Sequence, residues 1–409
     1  MTIQSIDVEQ VSATTQDLVT YPSVNPPGDV RAITEYIAGR FETAGWRVSE
    51  MAGDPEKPNL VIEYGPDDER PAALLFYAHS DVVGVDDNER PLWVCDPFDG
   101  YRDGDTLYGR GTVDAKSKIA ALVAAAGAVA ASGIPATRKV RVIIEADGER
   151  GDQLGIKYMK DQDERVLLSD MMLACEPSEN KVLRVYKGRL WMRLSMNLPN
   201  VHSLVPETGT NAIERLINVL PRILGADLTE SPLDDPDLAG EMMGSESRCY
   251  TQLHAGHAYN ISPGSAEATV DVRPVPGQTI DQVVADFRRV VDEVNAERPD
   301  APVILDPMAE SFREPAVVER TSPVIRAVQK AYLEGVGRPV EFGTGYSVGG
   351  LQHFWDLGIP GIYFGSGGIW DAHSANEKVT LPELHDMTSA YTQLMYNGLL
   401  DRLTGTSPG

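Results

Sequence analysis

Histidines and carboxylates recur in this sequence immediately after short apolar runs. His79 follows Ala72 to Ala78 (AALLFYA), Glu149 follows VRVIIEAD, Glu176 follows Met171 to Cys175 (MMLAC), and His373 comes shortly after Gly361 to Phe364 (GIYF) and a glycine-rich turn. Asp114 closes the turn GRGTVD just ahead of an alanine-rich stretch. Two imidazoles and three carboxylates form a nitrogen and oxygen donor set suited to zinc, with Co2+ or Mn2+ as substitutes where supply favours them. If one carboxylate bridges, each of two Zn2+ ions gains about four ligands with an open position for water. Asp81, two residues past His79, is placed to accept the other ring N–H of that histidine and so set its tautomer. Read singly, each residue also has an ordinary use: Asp114 as a helix cap, the others as strand-end or surface polar groups. Their joint recurrence is what points to a metal site. His254, His257, His353 and His385 do not share the pattern and read as surface or core residues.

The elements that must position these residues are those of an α/β fold. Asn59 to Tyr64, Ala72 to Ala78, Val140 to Ala146, Met171 to Cys175 and Gly361 to Phe364 read as buried strands of a mainly parallel sheet flanked by helices. Ala115 to Ser132, rich in alanine and stopped by Gly133, reads as a helix. In an open parallel sheet the carboxyl ends of the strands line one crevice, so residues placed just after them converge. From about Tyr186 the texture changes to alternating strands, Leu190 to Met196 and Ala266 to Val272, and amphipathic helices, Asn211 to Leu224 and Thr279 to Ala296, as expected of an inserted α+β domain. The expected division is residues 1–185 and 304–409 for the metal-binding domain and 186–303 for the insert. Thr229 to Ser247, acidic and rich in turn residues, reads as a loop or an excursion from the insert.

Composition narrows the function classes. The 409 residues carry 36 Lys plus Arg against 61 Asp plus Glu, a formal charge of −25, which argues against a nucleic-acid or anionic-membrane surface. No stretch approaches the roughly 20 apolar residues of a membrane span and the start of the chain has no leader pattern, so a cytoplasmic protein is expected. Cys95, Cys175 and Cys249 have no paired spacing and read as small buried hydrophobes.

The same residues carry a family resemblance. HSDVV (79–83), GRGTVDAKSKIA (109–120), ADGERG (146–151), CEPS (175–178), NVHSLVPETGTNAI (200–213), NISPGSAEATVDVR (260–273) and AHSANE (372–377) occur in that order. The chain is similar to the co-catalytic zinc metallopeptidases that include aminoacylase-1, acetylornithine deacetylase, succinyl-diaminopimelate desuccinylase and glutamate carboxypeptidase. The resemblance implies a zinc-binding domain interrupted by a lid domain that mediates homodimerisation. It implies His79, Asp114 and Glu176 around one zinc, and Asp114, Glu149 and His373 around the other. It further implies that Asp81 orients His79, that His202 reaches a partner's site to stabilise an oxyanion, and that Asn260 and Arg273 hold the substrate.

One motif departs from the family. Where the family reads Asp-Glu-Glu, with the first Glu as general base, this chain reads Asp147-Gly148-Glu149. Three readings stay open: Glu145 or Asp147 supplies the base, Glu149 is itself the base beside an incomplete second site, or the chain no longer hydrolyses amides. GTGYSVGG (343–350) and Ala115-Lys116-Ser117-Lys118 also depart from the family's usual motifs. The leading expectation is a zinc-dependent hydrolase of an N-acyl amino acid or small peptide with a free carboxylate. The alternatives are a metal-dependent enzyme catalysing cyclisation, condensation or elimination on an amino-acid-derived small molecule, and an inert binding protein.

Overall fold

The computed structural model describes residues 6–206, 210–228, 238, 240–242 and 244–403. Most of the acidic excursion expected at 229–247 therefore lies outside the described residues. The chain divides into two units, one of Met1–Arg184, Val318–Gly343 and Gly350–Gly409, the other of Val185–Val317 and Thr344–Gly349.

Beyond two N-terminal helices, Val8–Val19 and Arg31–Thr43, the first unit contributes strands β1 (Arg47–Met51), β2 (Asn59–Tyr64), β3 (Leu74–His79), β4 (Val140–Glu145) and β5 (Met172–Ala174). Helix α1 (Lys116–Ala131) lies between β3 and β4 in the chain, with Gly133 just beyond it at φ +65°. Its sequence has no polar face beyond its first turn, and it is correspondingly buried along most of its length. The second unit then contributes β6 (Arg189–Asn197), α2 (Ala212–Leu224), β7 (Ser247–Ala255), β8 (Ser265–Arg273), α3 (Ile280–Glu297) and β9 (Ile304–Arg313). The chain returns to the first unit for β10 (Gly361–Tyr363) and α4 (Leu381–Leu399).

In the first unit the sheet order is β1-β2-β4-β3-β5-β10. β4, β3, β5 and β10 are mutually parallel, and β2 and β1 extend the sheet antiparallel at one edge. β3, β4 and β5 are buried throughout, which is why they read as continuous apolar runs rather than alternating ones. Phe76, Ile144, Leu173 and Ile362 from the four parallel strands join Ala121, Leu122 and Ala125 of α1 and Leu394 of α4 in one core.

The second unit is a four-stranded antiparallel sheet, ordered β7-β8-β6-β9. β6 and β8 alternate buried and half-buried residues, and their buried face forms a core with Leu216 and Val219 of α2 and Phe287 and Val291 of α3. Both helices have the side-chain N-caps their first residues predict, Asn211 on Ile213 and Glu214, and Thr279 on Gln282.

Two sequence expectations need correction. Residues from 304 onward are expected in the metal-binding domain, but Ile304, Leu305 and Asp306 of β9 pair with Ser195, Leu194 and Arg193 of β6, and the second unit runs to Val317. Cys175 is buried as expected, whereas Cys249 is exposed on the edge strand β7 and Cys95 is half-buried. The short segment Thr344–Gly349 also belongs to the second unit: Lys187 N–H donates to Tyr346 O at 2.6 Å, Val348 N–H to Lys187 O at 3.0 Å, and Gly345 N–H to Glu241 O at 2.8 Å. No helix among the described residues is long and apolar enough to cross a membrane.

Candidate metal centre

The carboxyl ends of the parallel strands deliver four of the five candidate ligands. β3 ends on His79 itself, Glu149 lies in the turn after β4, Glu176 stands two residues past β5, and His373 sits in the loop after β10. The fifth comes from the turn before α1. That helix is preceded by Ala115, with no side-chain capping bond, so the Asp114 carboxylate is not used as a cap. Its Oδ1 lies 2.9 Å from His79 Nε2 and its Oδ2 3.4 Å from His373 Nε2. Glu149 Oε1 is 3.2 Å from His373 Nε2, and Glu176 Oε1 is 4.0 Å from His79 Nε2.

Two groups result, His79 with Asp114 and Glu176, and Asp114 with Glu149 and His373, each with its donor atoms within 4.8 Å of one another. A zinc ion about 2 Å from every ligand needs donors roughly 3 to 4 Å apart, so both groups are of a size to hold one. Asp114 belongs to both groups and offers a different oxygen to each.

The electrostatics are those of crowded carboxylates and imidazoles. Burial opposes charge on Asp114, but hydrogen bonds to His373 and His79 hold its pKa well below the usual range. Burial and then the charge of Asp114 push Glu176 up to about 8. Burial likewise raises Glu149, against the hydrogen bond to His373. Hydrogen bonds to Asp114 and Glu149 raise His373 to about 10, and those to Asp114 and Asp81 raise His79 despite its burial. Clusters of this kind titrate as a unit and favour a cation that satisfies several carboxylates at once.

Asp81 lies where the sequence suggests. Its Oδ1 is 3.3 Å from His79 Nδ1, and its carboxylate also accepts N–H bonds from Gly148 at 3.1 Å, Glu149 at 3.2 Å and the Asn25 side chain at 2.8 Å. One buried carboxylate thus ties the end of β3 to the turn that carries Glu149.

Glu377 does the equivalent for Asp114, and the sequence reading assigns it no role. It is fully buried, and its Oε1 accepts the backbone N–H groups of Gly111, Val113 and Asp114 at 3.0, 2.7 and 3.0 Å. Its Oε2 accepts from Arg110, itself buried, at 2.8 Å. The available signal is its place four residues past His373 in AHSANE. Replacing Glu377 with Gln breaks a buried ion pair and should cost about 3 to 5 kcal/mol. Thermal unfolding reads this, and a Gln variant that melts with the wild type would refute the clamp.

A family model for peptidase family M20/M25/M40 matches residues 75–397, most of the chain. The chain belongs to this family of peptidases. A succinyl-diaminopimelate desuccinylase of Gluconacetobacter diazotrophicus is 28% identical to it over 404 residues, covering 95% of this chain and 96% of that protein. The crystal structure of an M20 metallo-carboxypeptidase from Sulfolobus solfataricus superposes with a TM-score of 0.76 at 17% identity, covering 96% of this chain and 99% of the other. A Bacillus subtilis protein described as a dinuclear metal binding peptidase of the M20 family gives 0.67 at 13% identity, covering 97% and 99%. The mixed sheet with flanking helices is the M20 fold.

In this M20 chain the carboxylates of Glu145 and Asp147 are both engaged. Glu145 is wholly buried, accepts the Tyr77 hydroxyl and takes the Ile156 N–H at 2.8 Å. Asp147 accepts from Asn25 at 2.9 Å, Lys57 at 3.0 Å and Leu154 N–H at 3.1 Å, bonds that hold its pKa down against burial. Gly148 itself packs on His79: a Cβ there would lie 2.7 Å from His79 Cβ and 2.8 Å from its Cγ.

The other three expected site residues lie in the second unit. His202 is exposed in a two-residue strand paired with Ile261 and Ser262, and its Nδ1 accepts the Leu204 N–H at 3.0 Å. Asn260 is its neighbour, the Asn260 carbonyl accepting from Ser203 N–H at 3.1 Å. Arg273 is not with them. It ends β8, an extended strand of nine residues and so about 27 Å long, whose start follows Asn260 by five residues. Its guanidinium donates to both Asp271 oxygens at 2.8 Å and to Ser347 Oγ at 2.6 Å.

Proposed function

We propose that this chain is a two-metal hydrolase that cleaves the amide bond of an N-acyl amino acid or small peptide bearing a free carboxylate. The carrying observation is the pair of donor groups sharing Asp114 at the carboxyl ends of the parallel strands. His79, Asp114 and Glu176 would hold one Zn2+ and Asp114, Glu149 and His373 the other, with Co2+ or Mn2+ able to substitute. Bound there, the ions would polarise the scissile carbonyl and make water acidic enough to attack near neutral pH. Asp81 keeps His79 in the tautomer that presents Nε2 to the group, and Glu377 holds the backbone of the Asp114 turn.

The separation within the second unit supports a homodimer. His202 and Asn260 sit at one end of the unit's sheet and Arg273 at the other, so a single copy does not bring all three to one small substrate. A second copy supplying His202 and Asn260 would bring together the three residues that one copy keeps apart. Exposed Ile213, Ile217 and Leu224 on α2 and Leu253 on β7 give that copy an apolar surface beside an open strand edge. His202→Ala should lower turnover by roughly 10² to 10³ with metal content unchanged. Ile217→Asp should yield a monomer by sedimentation with the same loss. Full turnover by the monomer would sink the shared site.

Gly148 supports a second reading, a metal-dependent enzyme that does not hydrolyse amides. With Glu145 and Asp147 engaged, the proton-shuttling carboxylate worth about 10² to 10⁴ in rate is missing. Metal analysis paired with a panel of N-acyl amino acids and dipeptides separates the two. Two ions with hydrolysis supports the first reading, two ions without it the second, and no ions after reconstitution refutes both.

A further inference from the structure

Lys118 belongs to neither donor group, yet it is fully buried near the start of α1. An ammonium group is kept out of water only where partners compensate it. Its Nζ donates to the carbonyl of Ser366 at 2.6 Å and to that of Val113. Val113 immediately precedes Asp114, and Ser366 lies in the glycine-rich loop that leads from β10 to His373. The lysine therefore joins the turn that carries the shared carboxylate to the loop that carries His373. It also lies within electrostatic reach of Asp114 and Glu176.

A cation at this place has two effects on a site built for cations. It repels divalent ions, and it favours negatively charged species among their ligands. The second effect answers the want of a carboxylate at Gly148: water that loses its proton directly to bulk solvent needs no neighbouring base.

We propose that Lys118 is a positioning residue whose positive charge weakens the site's hold on divalent ions and lowers the pH at which the attacking water gives up its proton. This rests on the metal-dependent hydrolase reading above. The test is Zn2+ affinity of the demetallated full chain, measured by competition with a chromogenic chelator, for wild type, Lys118→Met and Lys118→Gln. The neutral variants should bind Zn2+ about tenfold more tightly, the sign opposite to that of simple structural damage. The acidic limb of their kcat/KM profile should move to higher pH. Gln keeps a donor for one carbonyl and carries the comparison where Met does not fold. Neutral variants that bind Zn2+ no more tightly than a zinc-binding wild type overturn the proposal and leave the hydrolase reading standing. A wild type that binds no Zn2+ overturns the hydrolase reading itself.

Discussion

Asp114→Ala should remove both metal ions in one substitution. The two oxygens of this carboxylate face different groups, Oδ1 toward His79 at 2.9 Å and Oδ2 toward His373 at 3.4 Å. Its loss leaves two protein donors in each group, His79 with Glu176 and Glu149 with His373, fewer than the three or four that hold zinc. Hydrolytic turnover should fall by more than the roughly 10² to 10⁴ that one positioned acid or base supplies, because the Lewis acid and the acidified water go together. Removal of Glu176 or His373 should instead spare one group. Metal content of the purified variants checks this ordering, and an Asp114→Ala protein that keeps one tightly bound ion would contradict the shared role.

The second large effect is expected at a glycine. Gly148→Ala places a methyl carbon 2.7 Å from His79 Cβ, and that histidine has little freedom to withdraw. Its side chain is buried, its Nδ1 is 3.0 Å from the Asp81 carbonyl oxygen, and its Nε2 is on Asp114. Overpacking of this kind costs about 1 to 3 kcal/mol. Displacing the ring should weaken metal binding by about 10- to 100-fold, as loss of other supports of metal-ligating histidines does. Gly148→Glu adds a carboxylate at this turn, yet through the same contact it should lose metal affinity rather than gain activity. Thermal unfolding and Zn2+ titration test both variants. A Glu variant that binds metal normally and hydrolyses faster than wild type would show that the contact relaxes easily.

Much of the fold was legible because its signals are local. NLVIEY forms β2 over the same six residues, and the alanine-rich helix and the capped helices of the second unit lie within a residue or two of expectation. Four of the five candidate ligands could be picked out because strand ends and the residues after them are adjacent in sequence. What escaped depends on distant partners. Glu377 acts on backbone N–H groups more than 260 positions away, and Asn25 bridges Asp81 and Asp147 across 56 and 122 positions. The assignment of β9 rests on pairing with β6, which lies about 110 residues earlier in the chain. Nothing in ILDPMAESFR names that partner. The separation of Asn260 from Arg273 was hidden for the opposite reason: the two are close in sequence, but an extended strand carries them apart.

The hexapeptide Thr344–Gly349 has a consequence for how this protein could be recombined with its relatives. Because it pairs with Lys187 and Glu241 while its flanks belong to the first unit, the second unit is not one uninterrupted insert. The chain passes between units at 184/185, 317/318, 343/344 and 349/350. A cassette cut at the first two junctions alone would leave the hexapeptide behind, facing a foreign sheet, and strip the backbone partners from Lys187. Chimaeras that exchange the second unit between M20 enzymes must therefore carry both pieces.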